Sequence, residues 1–196
     1  TVKKEANINI EIISGDEEAT LIYENHVAEN MDNNFGYLYI DVGGGSTELT
    51  YYENKKLKYK KSFNIGTIRI LNNLVKEESW EEMKSEIKDK IFGKKPIIAI
   101  GSGGNINKIF SMSKTKDGKP MSANLLKTYY KEAAPLSVQE RMIKYNVRED
   151  RADVMVPALE IFNKIMLWGE IKQIYVPKIS VADGLIHSLY NKIKKK

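Results

Sequence analysis

One stretch constrains this chain more than any other: Tyr37-Leu38-Tyr39-Ile40-Asp41-Val42-Gly43-Gly44-Gly45-Ser46-Thr47-Glu48-Leu49. Its apolar half is too short for a typical helix and stops at glycines, so it reads as a buried strand. Gly43, Gly44 and Gly45 carry no Cβ, which lets the backbone turn tightly and approach a ligand closely. Amides in such a loop can point at an anion. Asp41 stands where strand meets loop, and an acid beside a phosphate needs a metal ion or a water between them. Thr47 to Tyr52 also reads as a strand, so the plain alternative is a β-hairpin closed by a glycine turn. Alternation puts Ser46, Glu48 and Thr50 on one face of that second strand. Ser46 is then placed to donate to a phosphate oxygen, and Glu48 to hold a metal ion or a water. The ordered set of strand, Asp, three Gly, Ser-Thr and Glu favours a phosphate loop over a bare turn.

A second stretch repeats the theme. Pro96-Ile97-Ile98-Ala99-Ile100 reads as a buried strand, and Gly101-Ser102-Gly103-Gly104-Asn105 then precedes a helix from about Ile106 to Met112. Strand, glycine loop and helix start form a phosphate- or nucleotide-binding arrangement, with Gly103 and Gly104 as candidate contacts. The loop lacks G-x-G-x-x-G and the P-loop lysine, and close strand-to-helix packing accounts for the same glycines.

The formal net charge of +5 points to anionic partners: polyphosphate, a highly phosphorylated nucleotide or a nucleic acid. No interleaving of aromatic and basic residues resembles an RNA-recognition signature, which argues against nucleic acid. Lys55, Lys56, Lys58, Lys60 and Lys61 form one cluster, and Lys192, Lys194, Lys195 and Lys196 another. A solvated hairpin tip and a frayed tail account for both. The absence of cysteine excludes disulfides and thiolate metal sites, and only His26 and His187 are available for a histidine site. No run reaches membrane-spanning length and no secretory signal opens the chain, so the expectation is a cytoplasmic protein without membrane contact.

Asp41-Val42-Gly43-Gly44-Gly45-Ser46-Thr47-Glu48 resembles the second phosphate loop of the exopolyphosphatase and guanosine-pentaphosphate phosphohydrolase family. Members of that family have an actin-like fold of two similar lobes. The likeness runs from about Ile10 to about Tyr190, and the family's N-terminal lobe is not in this sequence. The resemblance implies removal of terminal phosphate from polyphosphate or guanosine pentaphosphate with Mg²⁺ or Mn²⁺. It implies metal binding by Asp41 and Glu48, and phosphate binding by Gly43, Gly44, Gly45, Ser46, Gly103 and Gly104. Ile13-Ser14-Gly15-Asp16-Glu17-Glu18-Ala19 resembles the family's Ser-Gly-x-Glu-Glu-Ala segment, whose second glutamate is the general base. By that match Glu18 is the catalytic base. On the residues alone, Ser14 and Glu17 form a capping box and Glu18 is an acid favoured in the first helical turn. Thr20 stands where the family often has Arg, and Asn105 where it commonly has Thr. Arg151-Ala152-Asp153-Val154-Met155-Val156-Pro157 resembles the family's Arg-Ala-Asp-x-x-x-Pro segment. Its charges read as a surface salt-bridge network, or as an Arg151–Asp153 cap. Asp183-Gly184 resembles a packing element of the same family. The missing lobe normally supplies another phosphate loop and an arginine, so this lobe alone is expected to be inactive. The N-terminal lobe of the parent protein is then the implied partner, and an exposed lobe face also allows a homodimer. The alternative is a non-catalytic module that senses a phosphorylated nucleotide through the same loops.

Alternating strands and helices argue an α/β fold. The expectation is a single domain over 1–196, with a mixed sheet of about five strands and helices on both faces, resembling one lobe of the actin-like, RNase H-like fold. Leu57 to Phe63 pairs with Thr47 to Tyr52 through the turn Glu53-Asn54-Lys55-Lys56. Asn64-Ile65-Gly66-Thr67 leads into a helix carrying Arg69, with Thr67 as its cap and room for an anion at its start. Further helices are expected over Ser79–Ile91 with Ser79 as cap, and over Ser122–Glu132, Ser137–Tyr145 and Val154–Trp168. A last strand is expected at Gln173–Pro177, before a final helix from Val181.

Overall fold

The computed structural model describes residues 32–177 apart from Lys94, together with Tyr190 and Ile193. Spatial contacts divide the chain into two compact units, Asp32–Lys178 and a second made of Thr1–Met31 with Ile179–Lys196. The elements below all belong to the first unit. Glu18, the helix start read at Ser14 and the first residues of the helix read from Val181 lie outside the described residues.

The unit is built on β1 (Gly36–Val42), β2 (Thr47–Glu53), β3 (Lys56–Phe63), β4 (Ile97–Ser102), β5 (Met121–Ser122) and β6 (Gln173–Tyr175). They form one sheet in the order β3-β2-β1-β4-β6-β5. β1 runs antiparallel to β2 and parallel to β4, and β4 runs parallel to β6. The sheet is mixed, as expected, but has six strands instead of five. The extra one is the two-residue β5, which pairs antiparallel with β6 directly after Pro120. Two residues carry no alternation, so no sequence pattern marks them.

β1 is buried almost throughout because it lies in mid-sheet, between β2 and β4. Leu38, Ile40 and Val42 enter a core shared with Leu49, Tyr51, Ala99, Ile106, Phe110, Phe162 and Ile165. Tyr37, Tyr39, Tyr52 and Ile100 are buried as well, and Tyr39 meets Tyr52 edge to face at 5.6 Å. The β2–β3 turn has φ of 51° at Asn54 and 61° at Lys55, a left-handed pair that matches the twist of the flanking strands.

Six helices complete the unit: α1 (Thr67–Leu71), α2 (Glu77–Glu86), α3 (Gly104–Met112), α4 (Ala123–Ala133), α5 (Val138–Tyr145) and α6 (Glu149–Trp168). α2 continues as one π-helical turn over Ile87–Ile91. It starts two residues ahead of the expected Ser79, and the Ser79 amide donates to the Lys76 carbonyl instead of the Ser79 side chain acting as cap. Two consecutive glutamates, Glu77 and Glu78, favour that earlier start through the helix dipole. Ser122 and Ser137 do cap α4 and α5, Ser137 with the reciprocal Glu140 bond. α6 absorbs the charged stretch at its own first turn and is twenty residues long, with Pro157 inside it. It is the helical centre of the unit, touching α1, α3, α4 and α5.

Candidate functional site

The β1–β2 connection is a hairpin, as the plain alternative held, and its loop is Gly43-Gly44-Gly45-Ser46. The Gly43 amide closes the loop on the Ser46 carbonyl at 2.9 Å, so that amide is spent internally. None of the three glycines has positive φ. A Cβ on Gly45 would meet nothing within 4 Å. Neither backbone conformation nor crowding therefore requires glycine at position 45, and the open space on that side is available to a ligand.

The loop is held from one side. The Gly43 carbonyl accepts the Thr67 amide at 3.0 Å, and the Thr67 hydroxyl donates to it at 3.4 Å. The Gly44 carbonyl accepts the amides of Ile68 at 2.9 Å and Arg69 at 3.3 Å. The Gly45 carbonyl accepts Arg69 Nε at 2.7 Å. In a trans peptide the N–H points opposite the C=O. Three successive carbonyls aimed at α1 therefore turn the amides of Gly44, Gly45 and Ser46 away from it, as an anion-binding nest requires. None of those three amides has a hydrogen-bond partner among the described residues. The same bonds correct two expectations. The helix start is occupied by loop carbonyls and has no room for an anion, and Gly66 caps α1 while Thr67 is its first residue. Gly66 is required, because a Cβ there would lie 2.4 Å from the Gly44 carbonyl oxygen.

Asp41 and Glu48 are directly opposite each other in the antiparallel register of β1 and β2. Opposed residues share a face and bring their Cβ atoms within about 5 Å. Ser62 lies opposite Glu48 on β3, and Ser102 is level with Asp41 on β4. The row Ser62–Glu48–Asp41–Ser102 thus crosses four strands beside the loop. The Glu48 carboxylate has no hydrogen bond or ion pair among the described residues. Two facing carboxylates repel each other, and a hard cation relieves that repulsion. No group of three or more His, Cys, Asp or Glu placed to hold a metal occurs among the described residues. A pair is enough for Mg²⁺ when waters and phosphate oxygens complete the shell, so the donor set fits.

The second glycine loop comes up to the same place. Gly103 has φ of +94°, and a Cβ on it would sit 2.7 Å from Asp41 Oδ1. Glycine there keeps clear the space beside the Asp41 carboxylate. Asn105 ties the loop to β1 by donating its Nδ2 to the Val42 carbonyl at 3.0 Å. Gly101 has the packing role instead, since a Cβ would press on Ile106 and Ile174 at 2.9 and 3.0 Å. A Cβ on Gly104 would lie 2.8 Å from Arg151 Nη1. The Arg151 guanidinium therefore rests against the second glycine loop, and it also joins the expected surface ion-pair network, since Asp150 pairs with both Arg148 and Arg151. Arg151 Nε is 3.9 Å from Asp150 Oδ2, and Asp153 Oδ1 accepts the Val154 amide at 2.6 Å. Arg151 also borders a small cleft with Asn105, Lys108, Ile109 and Met155.

Sequence reasoning did not assign Arg69 and Arg151 to the site. Arg69 follows Gly66 by three residues, a spacing that signals nothing until the loop carbonyls are located. Arg151 stands in the Arg-Ala-Asp-x-x-x-Pro segment, but that pattern gives no hint that α6 begins beside Gly104.

Residues 1–193 match the sequence profile of the Ppx/GppA phosphatase family. The chain is 25% identical over 202 residues to a guanosine-5'-triphosphate,3'-diphosphate pyrophosphatase of Vibrio parahaemolyticus, covering 95% of this chain and 40% of that enzyme. It therefore spans less than half of that curated relative's length. Among solved structures, it is similar to the Aquifex aeolicus member of the Ppx/GppA family, with a TM-score of 0.75 and 22% identity, covering 97% of this chain and 67% of that one. It is also similar to an exopolyphosphatase from Cytophaga hutchinsonii, with a TM-score of 0.74 and 22% identity, covering 97% of this chain and 68% of that one. These likenesses give the fold as the actin-like α/β class.

Proposed function

Because the chain belongs to the Ppx/GppA phosphatase family, we propose that it carries one half of a phosphoanhydride hydrolase acting on the terminal phosphate of polyphosphate or guanosine pentaphosphate. The observation that carries this reading is the loop Gly43–Ser46, whose Gly43, Gly44 and Gly45 carbonyls are bound from one side while the Gly44, Gly45 and Ser46 amides face the other. A terminal phosphate has three equatorial oxygens with developing charge during transfer, and a fixed set of N–H donors stabilises it without reorganising.

Asp41 and Glu48 would hold Mg²⁺ or Mn²⁺ beside that phosphate. When bound, the ion would supply charge neutralisation on the phosphate oxygens. Gly103 puts no side chain beside the Asp41 carboxylate, and Arg151 places a guanidinium against the second loop. Glu18 is the proposed general base on the attacking water, a role supported by the family resemblance of its segment. A carboxylate at its ordinary pKa is ionised at neutral pH and can orient and deprotonate such a water. The chain covers 40% of the length of the Vibrio parahaemolyticus relative. We propose accordingly that a further lobe completes the site and that this chain alone turns over poorly.

The test is phosphate release from both substrates, with and without Mg²⁺, by this chain and by a two-lobed version. The expected result is metal-dependent release by the two-lobed version, reduced at least a hundredfold by Glu18→Ala, in line with the range of about 10²–10⁴ for general-base catalysis. Wild-type turnover by Glu18→Ala would remove Glu18 from the mechanism. No release from either substrate would leave the phosphohydrolase reading without support.

A further inference from the structure

The three outward amides of the loop are not held alike. Those of Gly44 and Gly45 belong to peptides whose carbonyls, Gly43 and Gly44, are bonded by main-chain amides of α1. The Ser46 amide belongs to the Gly45–Ser46 peptide, whose carbonyl is bonded by a side chain, Arg69 Nε at 2.7 Å. The main-chain bonds form in any sequence that folds this way. The third does not.

We infer that Arg69 is a positioning residue for anion binding: it fixes and polarises the Gly45–Ser46 peptide so that the Ser46 amide serves as the third donor. This rests on the reading of Gly43–Ser46 as a phosphate loop. The bond is charge-assisted, so it is shorter and stronger than a neutral one. A cation on the carbonyl oxygen strengthens the donor at the far end of the same peptide, because linked hydrogen bonds polarise one another. Arg69 also has its own amide 3.3 Å from the Gly44 carbonyl, so its side chain starts beside the peptide it holds. The guanidinium lies on the carbonyl side of the loop, opposite the outward amides. It therefore acts on an anion through the peptide and not by contact. Gly45 contributes by having no side chain on the open side, where a Cβ would meet nothing within 4 Å.

A purely structural staple between α1 and the loop would predict something different. Losing it would lower stability, yet each folded molecule would present the same donors. The two cases separate at single amides. Uniformly ¹⁵N-labelled full chain is titrated with inorganic pyrophosphate, and the resonances of Gly44, Gly45 and Ser46 are followed in wild type, Arg69→Ala and Arg69→Gln. In wild type all three amides are expected to move together. In both variants the Ser46 response should shrink selectively while Gly44 still responds, and affinity should fall about tenfold, as for loss of one hydrogen bond to a charged group. Arg69→Gln retains an N–H donor without charge and keeps the test valid should Arg69→Ala fold poorly. A Ser46 response equal to wild type in a folded variant overturns the inference and leaves the phosphate loop standing. Absence of any response at Gly44–Ser46 in wild type removes the phosphate loop, and the role of Arg69 with it.

Discussion

Gly66→Ala is the sharpest perturbation of the loop that leaves every candidate ligand in place. The new Cβ would lie 2.4 Å from the Gly44 oxygen, 2.5 Å from the Gly45 carbonyl carbon and 2.6 Å from the Gly44 carbonyl carbon. All three are backbone atoms, so no side chain can swing aside. Either the loop or α1 must move. Overpacking of this kind costs about 1–3 kcal/mol. Movement also breaks the Thr67-to-Gly43 and Ile68-to-Gly44 bonds, each with a net contribution near 1 kcal/mol. The two effects overlap, which gives a loss of about 2–4 kcal/mol, a large part of a typical domain stability of about 5–15 kcal/mol. Urea denaturation followed by circular dichroism measures it. With slopes of about 1–3 kcal/mol per molar urea, the midpoint should fall by on the order of 1 M or more. Gly45→Ala is the control, since its Cβ enters empty space and its stability should stay within about 1 kcal/mol of wild type. A Gly66→Ala midpoint equal to that of Gly45→Ala would refute the claim that Gly66 is what lets α1 seat the loop.

Two further perturbations test other parts of the unit. Lys61 Nζ lies 2.7 Å from Glu86 Oε1, and this bond foremost holds the Glu86 carboxyl below the usual carboxylate range. A depressed folded-state pKa gives stability that is present above the unfolded value of about 4.3 and is lost as pH falls through the folded value. Glu86→Gln should therefore be less stable than wild type near neutrality, by about 1 kcal/mol for a half-buried surface pair, and the difference should shrink as pH falls below the unfolded value. A difference that persisted undiminished in acid would show that the charge is not the cause. At Gly36 a Cβ would meet the buried Tyr51 ring, 2.2 Å from its hydroxyl oxygen and 2.6 Å from Cε2. Gly36→Ala should cost about 1–3 kcal/mol in the same urea assay, and an unchanged midpoint would contradict the packing described.

The parts of the fold carried by local pattern were legible in the sequence. β1 and β4 follow from apolar runs that end at glycines, and β2 and β3 from alternating stretches joined by a two-residue turn. The helices starting at Ser122 and Ser137 were legible, whereas their caps, side chains that reach amides three residues on, come from the structure. Ser79 failed although it fits the same pattern with Glu82, because the acidic pair at Glu77–Glu78 started the helix upstream of it. The facing of Asp41 and Glu48 was half legible: alternation gave the face of Glu48, and only the register put Asp41 opposite. The backing of the loop was not legible. Arg69 reaches a carbonyl twenty-four residues earlier in the chain, and Arg151 approaches a glycine forty-seven earlier. No periodicity or motif spacing encodes a contact of that range.

The attachment of the loop to α1 uses the amides of residues 67, 68 and 69 and one guanidinium. A main-chain bond does not depend on which side chain its residue bears. Drift at Ile68, which is exposed, leaves the donor amide in place, and so does drift at the side chain of Thr67 apart from its long hydroxyl bond. The geometry that orients the loop is thus held largely by atoms common to all residues, with a few glycines and one arginine as its visible trace. Two chains can diverge across most of this segment and still present the same outward amides, so sequence identity here understates how closely their loop backbones agree.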